Sequence, residues 1–286
     1  MAALFGPGGN SESFYEKGYK ATVDAPKYVH EMGLDAYEYE AGNGVTASEA
    51  TFAKIGETAK KYGIHMTIHA PYYISLSSVD EEKRKKSAGY IVSSAKALRG
   101  LGGDLMVIHA GSTAKLDRTV ALQYALGALE HTLGVLNDEG LYGVKLGIET
   151  MGKVNQLGTL NEVLALCKAD TTVVPVVDFG HMNAREQGGV FTNADDYKRV
   201  FDRISESCGA IVAEHLHCHF SKIEYTSGGE KRHLTFEDTV YGPDFEPLMN
   251  AIASLGVSPT IICESKGTMA EDALAMKKAY EGLLKA

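Results

Sequence analysis

The stretch KLGIETMGKVNQLGTLNEVLALCKADTTVVPVVDFGH, residues 145–181, reads as one complete β-α-β unit. Lys145–Glu149 and Val173–Asp178 are short β-rich runs, and each closes on a carboxylate at its C-terminal end. Leu160–Lys168 between them has a helical pattern. His181 follows Asp178 in an Asp-x-x-His step.

Outward from this unit the same alternation continues in both directions. Ala2–Phe5, Ala36–Glu40, His65–His69 and Leu105–His109 precede it as strand-like runs, and Glu214–His219 and Thr260–Glu264 follow it. Helical patterns fill the gaps at Pro26–Met32, Ala47–Lys61 (after Thr46 as N-cap), Asp80–Leu98, Thr119–Leu136, Ala194–Ser205, Phe245–Ser254 and Ala270–Leu284. Strand followed by helix, eight times over, predicts an α/β fold: a (β/α)8 TIM barrel occupying residues 1–286 as a single domain. A doubly wound open sheet would want a phosphate-binding glycine loop after an early strand. Gly6-Pro7-Gly8-Gly9 lacks the G-x-G-x-x-G spacing.

Composition narrows the functional classes. The 286 residues carry 28 Lys+Arg against 37 Asp+Glu, a formal charge of -9, which argues against a non-specific nucleic-acid coat. No apolar run is long enough for a membrane span. The start, MAALFGPGGN, has no basic segment before an apolar one, so no secretory signal is expected and the expected location is cytoplasmic. Cys167, Cys208, Cys218 and Cys263 are widely spaced, as free thiols would be.

In such a barrel, chemistry gathers at the C-terminal strand ends. Here six successive ends carry ligand-type residues: His69, His109, Glu149, Asp178 with His181, His217 followed by His219, and Glu264. Each alone has a structural explanation; Asp178 alone would serve as a helix cap. Together, imidazoles and carboxylates converging on one dry bowl need a binding partner, and divalent cations supply it. That donor set suits zinc, with manganese or iron as alternatives. His30, His131 and His65 lie away from these ends, and His215, deeper on the face of His217, is expected in the core or behind the ligands.

With these residues in view, the sequence resembles endonuclease IV, the metal-dependent apurinic/apyrimidinic endonucleases among the xylose isomerase-like barrels, from about Ala21 to Glu281. The resemblance rests on Ile68-His69-Ala70-Pro71-Tyr72, His109, Ile148-Glu149-Thr150 with Leu157-Gly158-Thr159, Asp178-x-x-His181, His217-Cys218-His219-Phe220-Ser221-Lys222, Arg232-His233 and Glu264. It implies two or three zinc ions. His69, His109 and Glu149 would hold the first; Glu149, Asp178, His217 and Glu264 the second; His181 and His233 the third. It further implies hydrolysis of DNA 5′ to an abasic site by a monomer, with Glu149 or Glu264 as the catalytic base and Tyr72 as an aromatic that enters the DNA.

The chain departs from that pattern at several positions. Lys231 stands where the family has a third-ion Asp, which weakens the third site unless the adjacent Glu230 supplies the carboxylate; His219-Phe220 replaces Asn-Asp; Tyr73 replaces a smaller residue; and the loop Ala41-Gly42-Asn43-Gly44 lacks an arginine. On these features the alternative is a sugar isomerase or epimerase of the same barrel class, which would need only Glu149, Asp178, His217 and Glu264 and would bind a small sugar. A metal-stabilised binding protein is the third reading.

Overall fold

The computed structural model describes residues 2–113 and 115–285. The strands, in chain order, are β1 Leu4–Pro7, β2 Ala36–Glu40, β3 His65–His69, β4 Leu105–Ile108, β5 Lys145–Glu149, β6 Val173–Asp178, β7 His217–Phe220, the hairpin pair β8 Ile223–Thr226 and β9 Gly229–His233, and β10 Thr260–Cys263. Among the described residues, eight of these form one parallel sheet ordered β1-β10-β7-β6-β5-β4-β3-β2, while β8 and β9 pair separately. The sheet closes where its two end strands meet. Gly8 bridges Glu38 in parallel, and the Gly9 amide donates to the Glu38 carbonyl at 3.0 Å. Closure requires glycine on β1, because a Cβ on Gly6 would lie 1.8 Å from the Ala36 carbonyl oxygen.

Alternation along each strand separates two environments. Outward residues such as Met66, Ile68, Met106, Ile108, Leu146 and Ile148 pack with the helices into the main core. Full burial of each such side chain contributes about 1.5–3 kcal/mol. Inside the barrel, Leu105, Val107 and Val176, backed by Val174, form a small separate apolar cluster. The buried Glu38, Thr67 and His217 belong to β2, β3 and β7, and they are polar.

Helices form where local signals agree. Ser48, not Thr46, caps Glu49–Tyr62 by accepting from the Thr51 amide, and Asp80 caps Glu81–Leu101. Thr159 and Glu162 make a reciprocal capping box on Leu160–Leu166. Glu12–Glu16, Phe179–Arg185 and the β8–β9 hairpin are additions to the elements expected from sequence. The larger correction concerns the seventh strand. Ala210–Glu214 is a short helix, and the strand begins at His217, so that it ends beyond His219. His215 accordingly stays exposed beside Glu214 and is neither in the core nor behind a ligand. No helix among the described residues is long and apolar enough to cross a membrane.

Two arginines fix the loop that leaves β5. Arg118 donates to the carbonyls of Val154 and Gln156, and Arg185 to those of Met151, Lys153 and Val154. Glu162 holds Arg118 through Nε at 2.7 Å and Nη2 at 2.8 Å, and also accepts from the amides of Gly158 and Thr159. Burial works against its charge, but Arg118 and the two amides hold its carboxyl down at about 2. A carboxyl depressed in the folded state stabilises above its unfolded pKa and loses that contribution as pH falls through its folded value. Glu162→Gln should therefore cost on the order of 2 kcal/mol at neutral pH. Chemical denaturation should show the difference from the parent narrowing as pH falls from 4.5 toward about 2. A difference independent of pH would show that the carboxylate charge plays no part.

Candidate metal centre

Strand register sets the level of each side chain at the barrel mouth. β6 and β7 pair Asp178 with His219 and Val176 with His217. His219 therefore shares the rim with Asp178, and His217 lies one layer deeper, level with an apolar residue. Glu149 ends β5, His69 ends β3, and His109 and Glu264 stand one residue past β4 and β10.

Four imidazoles surround Glu149, which is fully buried. Its Oε2 lies 2.8 Å from His109 Nε2 and 3.3 Å from His69 Nε2. Its Oε1 lies 3.1 Å from His219 Nδ1 and 3.3 Å from His181 Nδ1. Burial disfavours the charge on Glu149, yet His219, His109 and His181 hold its carboxyl well below the usual range. Glu264 shows the opposite balance. Burial pushes it up to about 8, and the carboxylates of Glu149, Asp178 and Glu40 add to this against the pull of His219. Burial also opposes charge on His69, which Glu149, Glu40 and Glu38 nevertheless raise to about 10.

Among the described residues, five donor groups have their ligand atoms within 4.8 Å of one another; two of them join Glu38 to His217 and His219 or to Glu40 and Glu264, and the other three gather the strand-end residues: His69, His109 and Glu149; Glu149, Asp178, His219 and Glu264; and His181, Glu230 and His233. Of these three, the first unites the residues expected for it. The second contains His219 where the sequence suggested His217; His217 instead hydrogen-bonds Glu38 at 2.9 Å. The third contains His181 and His233, and Glu230 joins them, its Oε2 3.4 Å from His181 Nε2 and its Oε1 4.0 Å from His233 Nε2.

Glu230 reaches the site because of a bulge. The register of β8 on β9 shifts between Glu224 and Tyr225, which pair with Arg232 and Glu230 and leave Lys231 as the extra residue. Glu230 and His233 consequently turn to the site. Lys231 and Arg232 both pair with Glu224, away from it.

The donors fit divalent cations on two structural grounds. Asp178 uses Oδ1 to cap the helix Phe179–Arg185 through the His181 amide at 2.7 Å, while its buried Oδ2, facing the cluster, makes no hydrogen bond. Several ring orientations also leave a nitrogen aimed at the carboxylates. His69 Nδ1 is taken by the Ala70 carbonyl, His181 Nδ1 by the Thr150 carbonyl, and His233 Nδ1 by Ser221 Oγ, which frees each Nε2. Imidazole with carboxylate, and no thiolate, is a donor set for zinc, manganese or iron.

Tyr72 stands over this bowl, 54% exposed, with its ring stacked 5.6 Å from that of His109. Its hydroxyl donates to Glu40 Oε2 at 2.9 Å. Gly42 lets the ring come so close that a Cβ there would lie 2.1 Å from it. Tyr72 divides two clefts: one of about 450 Å³ over the ligands, with Lys153 and Gln156 on its wall, and one of about 470 Å³ toward Glu40, Asn43 and Lys266. Glu38 and Glu40 are residues the sequence reading did not place at the centre; His219 stood there only as a strand-end residue with no ion assigned to it, and Glu230 as a substitute for the Asp that Lys231 replaces. Their signals were the two glutamates at period two in AYEYE, the second histidine of HCHF, and a glutamate three residues before His233.

A family model for the xylose isomerase-like TIM barrel matches residues 26–285. An uncharacterized protein of Methanocaldococcus jannaschii is 32% identical over 257 residues, 89% of this chain and 90% of its own length. A probable endonuclease 4 of Acholeplasma laidlawii is 30% identical over 150 residues, 46% of this chain and 50% of its own. Among solved structures, endonuclease IV of Thermus thermophilus superposes with a TM-score of 0.65 at 17% identity, covering 99% of both chains. A D-tagatose 3-epimerase-like protein gives 0.67 at 20% identity over 91% of each. Those two likenesses carry the fold, and the match along nearly the whole chain carries the family: this protein belongs to the xylose isomerase-like TIM-barrel family.

Proposed function

We propose that this protein is a metal-dependent phosphodiesterase of endonuclease IV type that cleaves duplex DNA 5′ to abasic sites. The observation that carries this reading is the three-part donor array, with Glu149 common to two parts and His181, Glu230 and His233 forming a third. A one-ion sugar epimerase would use a single quartet and would have no need of the early histidines or of the hairpin donors. Divalent cations, when bound, supply Lewis-acid stabilisation of phosphate charge and activation of water.

The chain's own residues divide the remaining work. Glu149, anchored by four imidazoles, orients the two groups it joins. Glu264, whose side chain keeps 14% exposure at the cleft, accepts the proton of the attacking water. Tyr72 offers its half-exposed ring to an unstacked nucleotide. Lys153 and Lys266 supply local positive charge, one on each cleft, in a chain of net charge -9.

A second reading, epimerisation of a small ketose, is favoured by one feature. Glu149, Asp178, His219 and Glu264 alone make a one-ion site in a cleft of about 450 Å³, room enough for a small sugar. Incubation of the zinc- or manganese-loaded protein with a duplex bearing one abasic site decides between them. Incision 5′ to the lesion and none of undamaged duplex is the expected result. No incision, with turnover of ketoses by the same preparation, would replace the first reading by the second.

Glu264→Gln should retain its complement of metal and lose activity by about 100-fold or more, the typical share of a general base. Activity within about threefold of the parent at equal metal content would remove Glu264 from that role. For the third group, metal analysis after dialysis should find one equivalent fewer in Glu230→Ala and an unchanged content in Lys231→Ala, since Lys231 is engaged with Glu224. The reverse pattern would mean that Lys231 governs that group.

A further inference from the structure

Beneath the rim, the barrel interior holds a second polar layer that the proposed chemistry does not use. Its members Glu38, Thr67 and His217, and the rim residue His219 above them, are all at most 4% exposed. Glu38 Oε2 accepts from Thr67 Oγ1 at 2.8 Å and bonds His217 Nε2 at 2.9 Å. Its other oxygen, Oε1, lies 2.8 Å from His219 Nε2, and neither of these two buried atoms has a hydrogen-bond partner. The opposite nitrogen of the same ring, His219 Nδ1, faces Glu149 at 3.1 Å and Glu264 at 3.3 Å. One imidazole therefore spans the gap between Glu38 below and the rim carboxylates above.

We propose that Glu38 is a positioning residue that holds His219 with its proton on Nε2, leaving Nδ1 as the atom presented to the metal centre, and that Thr67 and His217 hold Glu38 for that task. The inference rests on the metal-centre reading above. A neutral imidazole has one donor and one acceptor nitrogen; carboxylates flank both nitrogens of His219, and with Nδ1, Glu149 and Glu264 given to a cation the proton is left on Nε2, beside Glu38 Oε1. Such a partner behind a ligating histidine also raises its basicity, and its loss typically costs 10–100-fold in metal affinity. Glu38 suits the role because it cannot swing away. It sits on the closing seam of the barrel, where its backbone bridges Gly8 and its carbonyl accepts from Gly9. Its Oε2 is occupied by two donors, so only Oε1 is directed at His219.

The test uses the full chain, stripped with a chelator and titrated with zinc against a chromophoric competitor. The parent, Glu38→Gln, Glu38→Ala and His217→Phe are compared, with thermal unfolding of each metal-free protein as the folding check. Glu38→Ala should bind the same number of equivalents, one of them 10–100-fold more weakly. Glu38→Gln, whose amide oxygen still accepts from Nε2, should recover most of that loss, and His217→Phe should fall between them. Nitrogen-15 spectra of zinc-loaded parent should show His219 protonated at Nε2, and cobalt-loaded Glu38→Ala should have an altered absorption spectrum. Should Glu38→Ala not fold, the Glu38→Gln and His217→Phe affinities and the parent tautomer carry the decision. Parent-like affinity in the folded variants, or a proton on Nδ1 in the loaded parent, overturns the inference alone. Loss of a whole equivalent with Glu38→Ala would make Glu38 a ligand of a deeper ion and also overturn it. A parent that takes up no zinc overturns the metal-centre reading and the inference with it.

Discussion

The rest of the site depends on the charge of Glu149 being buried in the barrel mouth. A buried, unpaired carboxylate is costly enough that the group would ordinarily take up a proton. Here His69, His109, His181 and His219 reach it from four different segments, at 2.8–3.3 Å. Breaking one such buried contact leaves charge uncompensated, which is far more damaging than never having placed it there. The cluster therefore ties four segments together across the barrel mouth, in addition to the backbone ladders. The glycines at the β1–β2 seam and the His219–Asp178 pairing serve the same geometry.

The interior pays for this arrangement in apolar packing. Barrels of this class are usually filled by branched aliphatic side chains. Here the separate interior cluster is only Leu105, Val107, Val176 and the partly buried Val174. The opposite side of the interior belongs to Glu38, Thr67 and His217. Such a polar layer is tolerable only when its members satisfy one another, as the shared Oε2 of Glu38 allows. Stability must then come from the shell between strands and helices, where the extended apolar core lies. The arginines that hold the loop after β5 add to it from outside, by donating to the backbone carbonyls of that loop.

The barrel was legible in the sequence because its signals are local. β2, β3, β5 and β6 begin and end where alternation and terminal charge predict, since each is a short buried run closed by a polar residue. His69, Glu149 and Asp178 follow from those boundaries, and His109 and Glu264 stand one residue past the ends of β4 and β10. What was not legible depended on register and on non-local pairing. Ala210–Glu214 continues so smoothly toward His217 that the strand start is invisible, and a shift of three residues decides which histidine reaches the rim. Glu38 reads as an ordinary residue of an alternating strand. Its burial is decided by neighbours outside its own strand, Thr67 opposite it on β3 and His217 from β7, which reaches it only when the barrel closes.

The hairpin shows why spacing alone misjudges a ligand. In a regular strand, residues two apart share a face and residues three apart do not. An Asp-x-His pair therefore suits a flat strand, and a glutamate three residues before a histidine is directed away from it. The irregularity in β9 changes the count, because one residue on the bulged strand has no partner opposite and the alternation resumes in the other phase. Glu230 and His233 then lie on one side, and the two cations between them turn to Glu224 on the other. The backbone of Gly152 accepts from the Glu230 amide at 3.0 Å, so the loop secured by Arg118 and Arg185 also sets the height of the hairpin over the site. A lysine at the position of an expected ligand is thus compatible with an intact donor group, because the carboxylate moved by one residue and the strand geometry moved with it.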